Sequence, residues 1–297
     1  MSNIDIKNLA PILLLVYKRP EKTKLVIEAL AANELASESD LFIFSGAPKD
    51  DSVRDAVLAV RELIRYVKGF RSVTVREDAT YQGMLTATPN ALKELCDRFG
   101  KVIFVEDDIL TRPEFLLFMN EGLEKYKDNK EVFTIGANWP VKPRLGDDKA
   151  FFLQIPCSWG WGTWKRAWDC YDYAVPGAKE LATNEMLAFN FNLQGRFPRF
   201  SEMLLSQLRG GMAEWSMPWY WNVFQQNGLN LWPPYSLTSN VGFDEVAFHT
   251  PESEKWLNQD VDLNFKGLPI VMPDNLEIDE QKHEEYADFM YWGSCPA

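Results

Sequence analysis

Short apolar runs alternate with helical periodicity through the first half of the chain. Ile12 to Tyr17 and Leu41 to Phe44 are near-continuous apolar stretches bounded by turn residues, the pattern of strands buried on both faces. Between them, Pro20 suits the first position of a helix reaching about Ala32. Beyond Ser45-Gly46, a helix capped by Asp51 or Ser52 carries Val53, Val57, Val60, Ile64 and Val67 at alternating four- and three-residue spacing, a single buried stripe. Ser72 to Val75 predicts a third strand, and Thr86 to Phe99 a helix with Pro89 in its first turn. The run from Val102 to Val105 predicts a fourth strand. A helix with Leu116, Met119, Leu123 and Tyr126 on one face follows, and then a strand at Val132 to Ile135. This order predicts an α/β fold: a Rossmann-like, mostly parallel sheet flanked by helices.

From about Trp139 the character changes. Trp159, Trp161, Trp164, Trp168, Trp215, Trp219, Trp221 and Trp232 crowd together, interleaved with glycines and prolines. Loops, short helices and a few mixed strands are expected there. From Pro251 onward acids dominate, the composition of a surface helix and tail. The expected organisation is thus residues 1–138 as the Rossmann-like half, 139–250 as an aromatic-rich half of the same domain, and 251–297 as an acidic C-terminal segment.

The fourth strand runs directly into Glu106-Asp107-Asp108. Carboxylates inside a buried parallel sheet would cost several kcal/mol each in desolvation. They are therefore expected to emerge at the carboxyl end of the strand, where open α/β sheets hold their ligand crevice. Three adjacent carboxylates repel one another, and a hard divalent cation, Mg2+ or Mn2+, offsets that repulsion and completes its shell with phosphates. The pattern therefore suggests a metal–diphosphate site. The plain alternative is an acidic strand end that caps the next helix near Arg112-Pro113-Glu114. No glycine-rich GxGxxG or Walker-type loop is present, which argues against a dinucleotide dehydrogenase and a P-loop kinase.

Four further segments carry candidate chemistry. In Ser158-Trp159-Gly160-Trp161-Gly162-Thr163-Trp164, glycines let backbone approach a ligand while flat rings stack on the apolar face of a sugar. An aromatic core seam is the bland reading. Glu214, set among Met212, Trp215, Met217 and Trp219, has the surroundings of a general base, with Asp169 and Asp172 as fallback carboxylates and a helix-capping acid as the alternative. Asn240-Val241-Gly242-Phe243 leads to His249, a candidate metal or diphosphate contact. Tyr81-Gln82-Gly83, with Arg76 and Asp78 nearby, is a candidate lining for a base or ribose, or plain turn chemistry.

Composition narrows the partners. The 297 residues carry 43 acids against 31 lysines and arginines, a net charge of −12. That argues against nucleic acid and against electrostatic docking on anionic lipid. Hydrophobic content of 46% is ordinary for a globular protein. The apolar run near the start is far too short to span a bilayer and lacks a cleavage-like site. Cys96, Cys157, Cys170 and Cys295 show no paired spacing, so free thiols in the cytoplasm are expected. Two histidines are too few for a zinc cluster.

Taken in order, Val16-Tyr17-Lys18-Arg19-Pro20, Glu106-Asp107-Asp108, Trp159-Gly160-Trp161-Gly162-Thr163-Trp164 and Asn240-Val241-Gly242-Phe243 with His249 resemble GT-A fold glycosyltransferases. In particular they are similar to bacterial sugar transferases related to N-acetylglucosaminyltransferase I, over about residues 10 to 250. The resemblance implies hexosyl or N-acetylhexosaminyl transfer, with inversion, from a nucleotide-sugar, UDP-linked, to a hydroxyl of a glycan or lipid-linked glycan. It implies Mn2+ or Mg2+ on Asp108, joined by His249. Glu106 and Asp107 would contact the donor sugar or ribose, and Tyr17, Arg19 and Pro20 would form the nucleotide loop. Trp159, Gly160 and Trp161 would sit at the donor sugar, Asp78 and Gly83 at the nucleotide, and Glu214 would be the base. The implied setting is bacterial polysaccharide assembly in the cytoplasm, with peripheral contact at the inner face of the membrane. Oligomeric state stays open. A sugar nucleotidyltransferase and a non-catalytic carbohydrate-binding protein are the rival readings.

Overall fold

Each apolar run of the first half becomes a strand whose alternate side chains enter opposite cores, as the two-residue period of a strand requires. The computed structural model describes residues 6–144, 146–212, 214–243, 267 and 269–294. In chain order the elements are β1 (Ile12–Val16), α1 (Pro20–Ala31), β2 (Asp40–Ser45), α2 (Arg54–Ile64), β3 (Ser72–Glu77), α3 (Met84–Phe99), β4 (Lys101–Glu106), β5 (Ile109–Thr111), α4 (Phe115–Lys125) and β6 (Val132–Gly136). There follow β7 (Phe151–Leu153), β8 (Trp161–Trp164), α5 (Lys165–Trp168), α6 (Glu185–Phe191), α7 (Arg199–Leu208), α8 (Ser216–Gln225), β9 (Leu229–Trp232), β10 (Thr238–Asn240) and α9 (Glu280–Ser294).

Among the described residues, eight strands form one sheet in the order β3-β2-β1-β4-β8-β6-β9-β7, and β5 pairs with β10 beside it. Neighbours β3–β2, β2–β1, β1–β4 and β6–β9 run parallel. Neighbours β4–β8, β8–β6 and β9–β7 run antiparallel. The expected mostly parallel α/β sheet is therefore present, with its antiparallel members all drawn from the aromatic-rich half.

Helices cover both faces. Ile12, Leu14, Ile43, Ile103 and Val105 pack with Val26 and Leu30 of α1, Val60 and Ile64 of α2 and Leu116 and Met119 of α4. Leu13, Phe42, Phe44, Val102 and Phe104 pack on the other face with Leu92 and Leu95 of α3 and with Trp161, Trp168, Trp215 and Trp219. Burying each such side chain contributes about 1.5–3 kcal/mol.

Three local expectations shift. The cap of the second helical segment is Asp50, whose carboxylate accepts from Ser52 N–H; a 3-10 turn at Asp51–Val53 precedes α2, and Val67 lies past its end. Gly83, at φ +72°, starts α3 two residues early, so Pro89 falls in the second turn and lacks the N–H that would bond Leu85. The C-terminal helix is more than surface: Tyr286, Ala287 and Met290 of α9 are buried, and Tyr286 stacks on Trp139 at 5.9 Å and 25°. No described helix is long and apolar enough to cross a membrane.

Candidate functional site

Strand register builds the site. Leu15 of β1 lies opposite Glu106 of β4 in the parallel pair, so Tyr17 to Pro20 and Glu106 to Asp108 leave the sheet side by side on one rim. Alternation then separates the carboxylates. Glu106 follows Val102 and Phe104 toward the tryptophan face, where the Trp215 side chain hydrogen-bonds to it. Asp107 Oδ2 accepts the Tyr17 backbone N–H at 3.1 Å. Arg19 reaches back between the acids, with Nη1 at 2.6 Å from Asp108 Oδ2 and 3.6 Å from Asp107 Oδ1. These three side chains are only 12–15% exposed, so water screens the pairs little.

Arg19, and more weakly Lys22, do not offset the burial of these carboxylates. Burial, and after it the charges of Asp108 and Asp107, push Glu106 up to about 8. Asp107 is raised to about 7, again by burial first and Asp108 second, with Arg19 and the Tyr17 N–H opposing. Burial thus favours the protonated forms of Glu106 and Asp107, and a hard cation bound here would favour the ionised ones. Among the described residues no three His, Cys, Asp or Glu side chains gather in a metal-holding group. Mg2+ and Mn2+ need no such group where phosphates complete the shell, since one or two carboxylates then suffice. Asp108 fits that duty, though its carboxylate is engaged by Arg19. His249 lies outside the described residues.

The β5–β10 pairing carries a second segment to the same place. Ile109 lies opposite Asn240, and Val241 N–H donates to the Asp108 carbonyl at 2.8 Å. A Cβ at Gly242 would collide with Asp108 Oδ2 and meet Asn240 Oδ1 at 2.7 Å, so any larger residue would displace the Asp108 carboxylate from its present position. The Asn240-Val241-Gly242 turn is therefore brought to the carboxylates.

The remaining expected residues divide. Pro20 is the first residue of α1. Tyr81, half exposed at 45%, sets its ring 5.9 Å from that of Tyr17, so the Tyr81–Gly83 turn faces the first-strand loop. Asp78 caps the rim beyond β3 and pairs with Arg76 at 3.2 Å. Arg61 ties the same rim together by donating to the Asp78 carbonyl at 2.7 Å and the Gly46 carbonyl at 3.2 Å. Trp159 is half-buried, with its ring edge-on to Phe243 at 5.7 Å, and its carbonyl accepts from Thr238 Oγ1 at 2.9 Å. Gly160 has φ +73°, and a Cβ there would meet Thr238 Cγ2 at 2.8 Å. Trp161 is wholly buried in the tryptophan core, stacked on Trp215 at 5.6 Å and Trp219 at 6.0 Å.

Glu214 lines a cavity of about 220 Å3 together with Ser158, Trp159, Arg199, Ser216 and Trp219. Ser216 Oγ donates to Glu214 Oε2 at 3.3 Å, and Glu214 N–H donates to Gln207 Oε1 at 3.1 Å. The sequence reading missed most of this wall. Phe200 and Met203 come from α7, marked by nothing but an amphipathic helix pattern, and Met290 from α9, far along the chain and with hardly a periodic signal. It also missed the contact of Trp215 with Glu106, which a tryptophan following a candidate carboxylate could not signal.

No family model matches the chain, and no curated protein matches its sequence. Among solved structures, it is similar to the mannosyltransferase PcManGT from Pyrobaculum calidifontis in complex with GDP-Man and Mn2+. That match has 11% identity and a TM-score of 0.39, over 75% of this chain and 71% of the other. It is also similar to S. aureus TarS, at 13% identity and a TM-score of 0.37, over 65% of this chain and 34% of that one, about a third of its length. Likeness at this level assigns no residue a role, so each role rests on this chain's own geometry.

Proposed function

We propose that the chain is a metal-dependent, inverting glycosyltransferase that moves a hexosyl or N-acetylhexosaminyl group from a UDP-linked sugar to a hydroxyl of a glycan or lipid-linked glycan. The observation that supports it is the meeting of the first-strand loop with the acidic strand end: Arg19 on Asp108 and Asp107, Tyr17 N–H on Asp107. A guanidinium suited to phosphate and a carboxylate suited to a hard cation touch there, at the mouth of the sheet.

Asp108 would hold Mn2+ or Mg2+ with the donor's phosphates, and His249 is proposed as its second ligand. When bound, the cation would neutralise charge developing on the nucleoside diphosphate. Arg19 would pass from Asp108 to a phosphate oxygen, a bidentate partner its guanidinium suits. Tyr17, Pro20, Asp78 and Gly83 would shape the nucleotide subsite. Glu106 and Asp107 would orient the ribose or donor sugar, with Trp159, Gly160 and Trp161 forming the segment at the sugar. Glu214 would take the acceptor hydroxyl proton as that oxygen bonds to the anomeric carbon and the bond to the diphosphate breaks on the opposite face. The proposed setting is bacterial surface-polysaccharide assembly at the cytoplasmic side of the membrane.

The test is incubation of the full chain with nucleotide-sugars and Mn2+, following release of nucleoside diphosphate. Asp108→Ala is expected to lower turnover by at least about a hundredfold, the scale of removing one charge-stabilising group. Chelator-insensitive turnover, or an unaffected Asp108→Ala, removes the metal role. Release of pyrophosphate instead assigns a nucleotidyltransferase, and sugar binding without turnover a carbohydrate-binding protein.

A further inference from the structure

The Glu214 cavity is walled unlike a site for a bare sugar. Phe197, Phe200, Met203, Met217 and Met290 supply apolar surface from three helices and a loop. Much of the polar chemistry around it is consumed inside the protein. Asn138 Nδ2 donates to Ser236 Oγ at 2.9 Å, Tyr220 O–H to the Phe191 carbonyl at 2.8 Å, and Trp232 Nε1 to the Ile155 carbonyl at 2.9 Å. The other polar side chains of the lining are few, Ser158, Arg199, Glu214 and Ser216 with the indole of Trp219, and Ser216 Oγ already donates to Glu214. Trp219 is 1% exposed, and its Nε1 has no hydrogen-bond partner. A free hexose brings several hydroxyls, and this wall would leave most of them desolvated and unmatched, the costly state for a polar group.

We propose that this cavity takes the acceptor by an apolar substituent, so that the substrate is an amphipathic glycoside with a hydrocarbon or aromatic aglycone. This rests on the transferase reading, since the hydroxyl to be modified is the one presented to Glu214. Size agrees: apolar cavities of about 150 Å3 hold a benzene-sized guest, and this one has about 220 Å3. Methionine-rich walls adapt to irregular apolar guests, and three methionines contribute here. The C-terminal helix closes the far wall through Tyr286 and Met290, held by ion pairs of Arg196 with Glu284 and Asp288.

The experiment uses the full chain without nucleotide. Methyl, octyl and phenyl glycosides of glucose and N-acetylglucosamine are titrated, octyl below its micelle concentration, with tryptophan fluorescence and thermal shift as readouts. Octyl or phenyl glycosides are expected to bind at least about tenfold tighter than methyl, the scale of burying a few CH2 groups. Preference for octyl assigns a hydrocarbon aglycone and preference for phenyl an aromatic one. Met203→Trp, which fills the cavity, is expected to abolish that preference. Phe200→Ala, which enlarges it at a half-buried position, is expected to weaken phenyl binding while the fold is retained. Equal binding of all three glycosides, or preference unchanged in both variants, overturns the proposal. Because nucleotide is absent, failure of donor turnover leaves this result standing, and failure here leaves donor turnover untouched.

Discussion

Asp108 is the residue on which most of the chemistry turns, and its surroundings make it testable. Arg19 now occupies the position beside it where a cation would bind. Replacing Arg19 with Ala removes the only guanidinium found between Asp107 and Asp108 among the described residues. Mn2+ alone is then expected to raise the thermal midpoint more in Arg19→Ala than in the native chain, because a ligand of the folded state stabilises in proportion to its affinity. Affinity for a nucleoside diphosphate should fall by about tenfold or more with the lost charge-assisted contact. If Mn2+ shifts neither protein, the carboxylates hold no cation. At Gly242 the test is steric. Gly242→Ala would push a methyl group onto Asp108 Oδ2, and the variant is expected to fold yet lose its Mn2+-dependent shift. The place of the acidic triplet at the end of β4 could be read from the chain because buried strands exclude such charge. Arg19 could not be read as its ion-pair partner, since 89 residues separate it from Asp108.

At the scale of elements, two turns carry strain or charge that can be measured. Gly160 holds the left-handed conformation just before β8, and Gly160→Ala adds both that strain and a contact with Thr238. Loss of about 1–3 kcal/mol is expected, read by urea unfolding. At the start of β2, Asp40 accepts hydrogen bonds from Arg71 and Ser72, and Arg71 above all holds its carboxyl below the usual range. A depressed folded pKa means stability that is present above the unfolded value and lost as pH falls through the folded one. Asp40→Asn should therefore destabilise at pH 7 by no more than about 1 kcal/mol, since the Arg71 side chain is 43% exposed and water screens the pair, and by much less near pH 3. Elements of the first half were legible because period and composition agree: β1, β2, β4 and α1 fall within a residue or two of expectation. The start of α3 was not, because the turn at Gly83 depends on backbone conformation rather than on any apolar pattern.

For the molecule as a whole, the two halves of the chain share one sheet, with β8 inserted between β4 and β6. That insertion stacks Trp161, Trp168, Trp215 and Trp219 behind the acidic strand and so fixes the face that Glu106 meets. The C-terminal helix completes the assembly on the far side. Tyr286→Ala would remove the ring that stacks on Trp139 and lines the Glu214 cavity. A cost of about 3–5 kcal/mol is expected from the loss of a buried aromatic, with weaker binding of apolar glycosides where the fold survives. Unchanged unfolding would show α9 to be dispensable. The acidic composition of the last stretch concealed this role, since three buried residues among many charged ones leave almost no periodic signal.

Local rules of burial and repeat sufficed to read an α/β sheet with carboxylates at its mouth straight from the chain, because one strand and its end are a matter of neighbouring residues. Which partners those carboxylates meet is a question of register and of contacts across 89 residues and more, Arg19 against Asp108 and Gly242 against its oxygen, and the wall around Glu214 needs α9 brought back from the far end of the chain. Such pairings are selected by packing of the whole molecule, and no stretch of sequence carries them alone.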